Sequence, residues 1–184
     1  MSANPAPLHR WTRRQYERMV ATGVFDCAER VELIDGSIID MAPQSSRHST
    51  AVRLVEEALR KAFGKGFDIR VQMPLAVDDR SEPEPDVAVV TGAPRDYRDA
   101  HPRTAVLVVE VADTSLALDR GGKRALYARN AIPEYWIVDV NRARLEVCRQ
   151  PLQGDYQVRD VLDGNAAVQP LAGGSAVAVA DLLP

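Results

Sequence analysis

Cysteine is nearly absent from this sequence: Cys27 and Cys148 are the only two in 184 residues, and they stand far apart. Without a CxxC pair or a closely spaced run, the chain shows no disulfide framework and no cysteine zinc pattern, and a redox role for either thiol is the lesser alternative to packing. Two isolated thiols suit a reducing cytoplasm, where they serve as packing residues. Aromatic residues are scarce as well, at 5%, too few for a surface that stacks successive nucleic-acid bases. No stretch reaches the roughly 18 uncharged apolar residues of a membrane span. The leading MSANPAPLHRWTRRQYER lacks the apolar segment of a secretory signal. Nor is positive charge in excess. A net charge of −3 does not mark the whole molecule as a polyanion binder, although a cleft can be basic within an acidic chain. Lysine is the last scarcity, limited to Lys61, Lys65 and Lys123 in a chain otherwise supplied with arginine.

What is present is ordinary for a soluble globular chain: 46% apolar and 27% charged residues. The length suits one domain with a real core and leaves little room for a second. Pro5 and Pro7 fall in a leading arm, so the expected division is a flexible segment over 1–11 and one domain over 12–184. Thr12 reads as the N-cap of a short helix carrying Tyr16, Met19 and Val20 and ending near Gly23. VELI and SIIDM flank Asp35-Gly36, the dipeptide of a type I′ hairpin turn. Ser45 or Ser46 opens a helix on which Val52, Val55, Leu59 and Phe63 recur at helical spacing, and Gly64 stops it. From Phe67 the period shortens. DIRVQMPLAV, VAVV after Asp86, AVLVVEV (105–111) and EYWIVDV read as strands, the last two as buried on both faces. Between them ADTSLALDRGG forms a loop leading into a helix over roughly Lys123–Arg129. LEVCR and YQVRDV read as antiparallel strands. Tyr135 and Trp136 point to opposite sheet faces, one into the core and one toward a subunit contact. The order predicts an α/β (α+β) fold, a mixed sheet flanked by helices with an N-terminal helix and β-hairpin.

Three residues carry the chemistry. Asp86 and Glu110 each sit at the edge of a strongly apolar strand, where a carboxylate is costly unless it is paired or holds a cation. On neighbouring strands the two converge on one point, a geometry suited to Mg²⁺, which takes one or two carboxylates and keeps several waters. Lys123 lies 123 − 110 = 13 residues beyond Glu110, on the following helix. A lysine beside a metal orients and helps deprotonate a water, and its charge stabilises a pentacovalent phosphate. Asp119 and Tyr127 lie four residues either side, so a continuous helix places all three on one face. The competing readings are solvated strand ends and an ordinary exposed Lys–Asp helix pair. Arg120, Arg124 and Arg129 fall in the same segment as Lys123. Arg10, Arg13, Arg14 and Arg18 read as a solvated helix face.

PEPDVAVV, VLVVEVADTS and DRGGKRALYARNAIPEYWIVD together resemble the Uma-two-like restriction endonuclease domain family of the PD-(D/E)xK phosphodiesterase superfamily. VELIDGSIIDMAP followed by a helix containing His48 is similar to that family's N-terminal part, so the resemblance covers about residues 12–182. It implies a restriction-endonuclease-like core and a cytoplasmic endodeoxyribonuclease that uses Mg²⁺, with Mn²⁺ as substitute. By the same resemblance Asp86 is one metal ligand, Glu110 the second, and the backbone carbonyl of Val111 a third. The superfamily lysine two positions after the acid is replaced here by Ala112, and Lys123 on the next helix is its match. Glu32 is either an added metal or water contact or part of the hairpin's polar face. His48 either contacts phosphate or water or has no role. Asp119 and Tyr127 orient Lys123. Gly121-Gly122 disfavour helix and mark a flexible loop before Lys123.

Two other functional classes stay open at this level. One is a non-catalytic nucleic-acid-binding or assembly protein that keeps the fold, which predicts no metal binding. The other is a phosphodiesterase for RNA or small nucleotides, since no residue here selects duplex DNA. A homodimer is expected, because one small domain cutting two strands needs two sites or two events.

Overall fold

Short runs rich in valine and isoleucine assemble into one six-stranded sheet. Its order is β3 (Phe67–Val71), β4 (Val87–Thr91), β5 (Leu107–Ala112), β6 (Glu134–Asp139), β7 (Arg144–Leu152) and β8 (Asp155–Asp163). The computed structural model describes residues 7–26 and 29–184; residues 1–6, Cys27 and Ala28 lie outside the described residues. The expectations for Pro5 and for the Cys27 thiol therefore also lie outside them. Strands β5 and β6 run parallel, and every other neighbouring pair is antiparallel. A parallel pair cannot be joined by a tight turn. Here the crossover is a helical run over 116–129.

Side-chain alternation along the strands gives the sheet two packed faces. Val87, Val89, Val109, Val111, Trp136 and Val138 pack with Val52, Val55 and Leu59 of α2 (Ser46–Phe63). Ala88, Val90, Val108, Ala112, Tyr135 and Ile137 pack with Leu126 and Tyr127 of α4 (Arg124–Arg129). Each buried valine or leucine contributes about 1.5–3 kcal/mol, so these two layers are the main stabilising term. Tyr135 and Trp136 do point to opposite faces, but both are fully buried. With helices on each side of the sheet, neither is left for a subunit contact.

The N-terminal elements follow the expected chemistry. Helix α1 (Arg13–Ala21) is capped by Thr12, whose hydroxyl accepts from Gln15 N while the Gln15 side chain reaches back. Strands β1 (Val31–Ile34) and β2 (Ser37–Asp40) meet at Asp35 and Gly36, whose φ values of 52° and 71° make the type I′ turn. Leu33 and Glu82 exchange backbone hydrogen bonds of 3.3 and 2.8 Å, which ties this hairpin to the segment leading into β4. Among the described residues no helix is long and apolar enough to cross a membrane.

Two local expectations change. The strand beginning at Phe67 ends at Val71 rather than running through DIRVQMPLAV, because Gln72 takes a left-handed φ of 49° and Pro74 supplies no donor. The Gly121-Gly122 segment is not a loop. Asp119–Lys123 forms a π-helical turn between α3 (Leu116–Leu118) and α4.

Candidate functional site

Register aligns the acids. Val87 pairs with Val109 and Ala88 with Val108; one further step along the same ladder sets Asp86 opposite Glu110. On the other side Val71 pairs with Val87, and the next step sets Gln72 opposite Asp86, with Gln72 N donating to Asp86 O at 3.1 Å. Three polar side chains thus stand in a row where the β3–β4 and β4–β5 ladders stop, while β5 runs on through Val111 and Ala112 beside β6.

Asp86 is heavily engaged. Its Oδ2 accepts from Val111 N at 2.8 Å and lies 3.2 Å from His48 Nε2, and its Oδ1 accepts from Gln72 Nε2 at 3.1 Å. Burial opposes ionisation, yet the partners His48, Val111 and Gln72 hold its pKa below the ordinary carboxylate value. Val140 N donates to Ala112 O, so the Ala112 carbonyl faces β6. Backbone groups alternate along a strand, which turns the Val111 peptide groups toward the Asp86 side.

Glu110 projects from β5 among the residues packed on α4. Its Oε1 accepts from the Tyr127 hydroxyl at 2.7 Å and lies 3.1 Å from Lys123 Nζ. The same ammonium lies 3.3 Å from Glu32 Oε1, and Glu32 Oε2 accepts from Glu84 N at 3.1 Å. Lys123 is held there by the π turn. Residues four apart in an α-helix are offset by a fraction of a turn, whereas a wider π turn brings them closer to one line. Asp119 and Lys123 are accordingly both buried, while the glycines between them face outward. Asp119 accepts from the Ser115 hydroxyl at 2.5 Å, and Tyr135 donates its hydroxyl to Asp119 O at 3.1 Å.

Asp86, Glu110, Glu32 and Asp119 face the Lys123 ammonium and the His48 ring, so full ionisation of all six groups leaves 4 − 2 = 2 uncompensated negative charges. Burial pushes Glu110 well above its ordinary value despite Lys123, and burial raises Asp119 to about 6. Burial works against the charge on Lys123, but Glu110, Glu32, Asp119 and Asp86 together raise its pKa and keep it protonated. His48 is raised chiefly by its hydrogen bond to Asp86. The site therefore has to take up protons or a cation.

These groups line a cavity of about 320 Å³. Its polar lining is dominated by carboxylate oxygens, the donors a hard divalent cation prefers. Among the described residues no three His, Cys, Asp or Glu side chains close into a ligand cage. The set does not suit a caged zinc and would fit a hard cation that keeps several waters; Val111 is not among the residues that line the cavity.

The seven side chains singled out in the sequence, Asp86, Glu110, Lys123, Glu32, His48, Asp119 and Tyr127, are linked into one neighbourhood; all but the fully buried Tyr127 line the cavity. Glu32 is buried against Lys123 and is not part of a solvated hairpin face. Gln72 and Ser115 also belong to the site and had no signal in the sequence. Gln72 lay inside an apparently continuous strand, and Ser115 in an ordinary polar loop.

The family profile whose description reads "Uma2: Putative restriction endonuclease" matches residues 13–180. No functionally curated protein matches the sequence. Among solved structures the fold is similar to one described as a "putative nuclease belonging to DUF820" from Anabaena variabilis ATCC 29413. The two share 16% identity over 83% of this chain and 88% of that one, with a TM-score of 0.66.

Proposed function

Since the chain belongs to the Uma2 family, we propose that it is a Mg²⁺-dependent endonuclease hydrolysing phosphodiester bonds of DNA at the Asp86–Glu110–Lys123 site. The observation that carries this reading is the buried excess of carboxylates around one lysine, 3.1 Å from Glu110 and 3.3 Å from Glu32. Asp86, Glu110 and the Val111 carbonyl would hold the ion, and Mn²⁺ would substitute. When bound there, such an ion would supply Lewis-acid chemistry toward the scissile phosphate and would lower the pKa of a nearby water.

The chain's own residues have distinct tasks. Lys123, kept protonated by its acidic neighbours, contributes its charge, which offsets the negative charge that grows on the phosphate during in-line attack. Tyr127 and Glu32 hold Glu110 and Lys123 in place through 2.7 and 3.3 Å contacts. His48 beside Oδ2 and Gln72 on Oδ1 fix the Asp86 carboxylate, which lowers the cost of reorganising it.

Plasmid incubated with purified protein and Mg²⁺ or Mn²⁺ is expected to be nicked, and Asp86→Ala or Lys123→Ala to stop the nicking. Equal nicking by wild type and both variants contradicts the proposal. One observation favours a second reading, a non-catalytic nucleic-acid-binding or assembly protein: Lys123 already neutralises part of the carboxylate charge a cation would need. That reading predicts no heat of Mn²⁺ binding in calorimetry. Action on two strands is proposed to involve a homodimer in the cytoplasm, and sedimentation showing only monomer removes the dimer.

A further inference from the structure

The catalytic row occupies one end of β3, β4 and β5. The same end of the sheet continues across β6 and β7, and there the charge changes sign. Arg47, on α2 one residue before His48, donates to Val140 O at 2.6 Å and to Asn141 Oδ1 at 3.5 Å. Asn141 in turn donates to Asp113 O at 2.6 Å, and Asp113 lines the cavity. Arg120, one residue after Asp119, crosses to pair with Glu146 and lies 3.9 Å from Asp139. Arg142 and Arg144 flank Asp139 at 3.3 and 3.5 Å. Arg120, Arg142 and Arg144 thus share two carboxylates, while Arg47 is held by a backbone carbonyl and an amide oxygen. Asp163, opposite Arg144 in the ladder, accepts from Asn165 N.

The arrangement differs from scattered surface ion pairs in two respects. Asp139 is fully buried, so it anchors Arg120, Arg142 and Arg144 from below while the Arg142 side chain stays 57% exposed. Arg47 and Arg120 approach from opposite faces of the sheet, since α2 and α4 cover different sides, and meet at the β6–β7 turn. The result is a positive ridge along the strand ends, beside a cavity whose acids would repel a polyanion.

We propose that this ridge of Arg47, Arg120, Arg142 and Arg144 grips the backbone of the DNA strand next to the scissile phosphate. The inference rests on the nuclease reading for its register but not for its charge chemistry. Neighbouring strands lie about 4.8 Å apart, so β6 and β7 are about 5–10 Å from the strand bearing Glu110. At about 3.4 Å of rise per phosphate on one strand, the ridge meets the phosphates two to three nucleotides from the cut. Planar guanidinium groups already oriented by carboxylates or, at Arg47, by carbonyl oxygens match phosphate oxygens bidentately.

The test is fluorescence anisotropy of a labelled DNA oligonucleotide with Mg²⁺ across a salt series, in the Asp86→Asn background so that no strand is cut. Arg47→Ser and Arg142→Ser are each expected to weaken binding roughly three- to tenfold at low salt and to reduce the log–log salt slope by about 0.7–0.9. Arg53→Ser is the control for general charge, because Arg53 is exposed on α2 and paired with Glu56. Melting curves of each variant separate lost contact from lost fold. Binding unaffected in well-folded ridge variants, equal weakening by Arg53→Ser, no DNA binding at all, or binding of RNA alone overturns the inference. Ridge-dependent DNA binding by a wild-type protein that cleaves nothing upholds it and sinks the nuclease reading instead.

Discussion

Lys123 and the two carboxylates that flank it make opposite demands on a cation. The ammonium 3.1 Å from Glu110 competes with a metal for the same oxygen, while its charge assists a reaction at phosphate. Lys123→Ala is therefore expected to bind Mn²⁺ at least as tightly as wild type in calorimetry, while cleavage falls about 10²–10³-fold, the scale for loss of a charge-stabilising group. Weaker Mn²⁺ binding by this variant would make the lysine an organiser of the ligands rather than their competitor. At this scale much of the site was legible. An acid at the edge of an all-apolar strand is a costly feature that calls for a partner, so Asp86 and Glu110 stood out, whereas the family resemblance set Lys123 apart from an ordinary helix Lys–Asp pair. Gln72 was not legible, because its role depends on a left-handed φ of 49° that no pattern of side chains encodes.

Between residue and fold stands the π turn over Asp119–Lys123. Gly121-Gly122 read as a break in the helix from propensity alone, and the structure instead keeps the chain helical and widens one turn. Propensity lost to packing here: burying Leu126 and Tyr127 against the sheet holds the run together. A Cβ on Gly121 would meet nothing within 4 Å, and its φ is not left-handed. Gly121→Ala should then raise stability by up to about 1 kcal/mol, or about 2–4 °C in Tm for a chain of this length. A lower Tm would mean that the wide turn itself needs glycine. The segment that carries the hairpin makes a second prediction. Glu82 is buried beside Leu33, and burial followed by the nearby Glu17 raises its pKa from 4.5 to about 7. The folded state thus holds the proton more tightly than the unfolded chain. The stabilisation is full below pH 4.5 and is lost as pH rises toward 7, by at most about 3 kcal/mol. Denaturant unfolding at pH 5 and pH 7.5 should show this loss in wild type and a flatter profile in Glu82→Gln; identical profiles contradict it.

Across the whole molecule, one end of the sheet gathers residues that the chain scatters from Glu32 to Glu146. Strand identity and the two-faced core were readable from hydrophobic period, because LVVEVA and EYWIVD admit little but buried strands. Strand order was not readable, and it is the order β4-β5-β6-β7 that lays an acidic cavity beside a row of arginines. Period says which residues are inside, whereas partner choice depends on contacts distant in sequence. The division of charge along that end also explains how a chain of net charge −3 can be read as a DNA-acting protein: the bulk average hides a local dipole.

The central claim, that Asp86 and Glu110 share one divalent cation within reach of Lys123, is tested most directly by anomalous diffraction from crystals soaked in Mn²⁺. The account predicts one peak coordinated by both carboxylates and the Val111 carbonyl, with the Lys123 amine close by but outside the coordination sphere. A cavity that stays without a peak at saturating Mn²⁺, or a peak bound only elsewhere on the molecule, contradicts it.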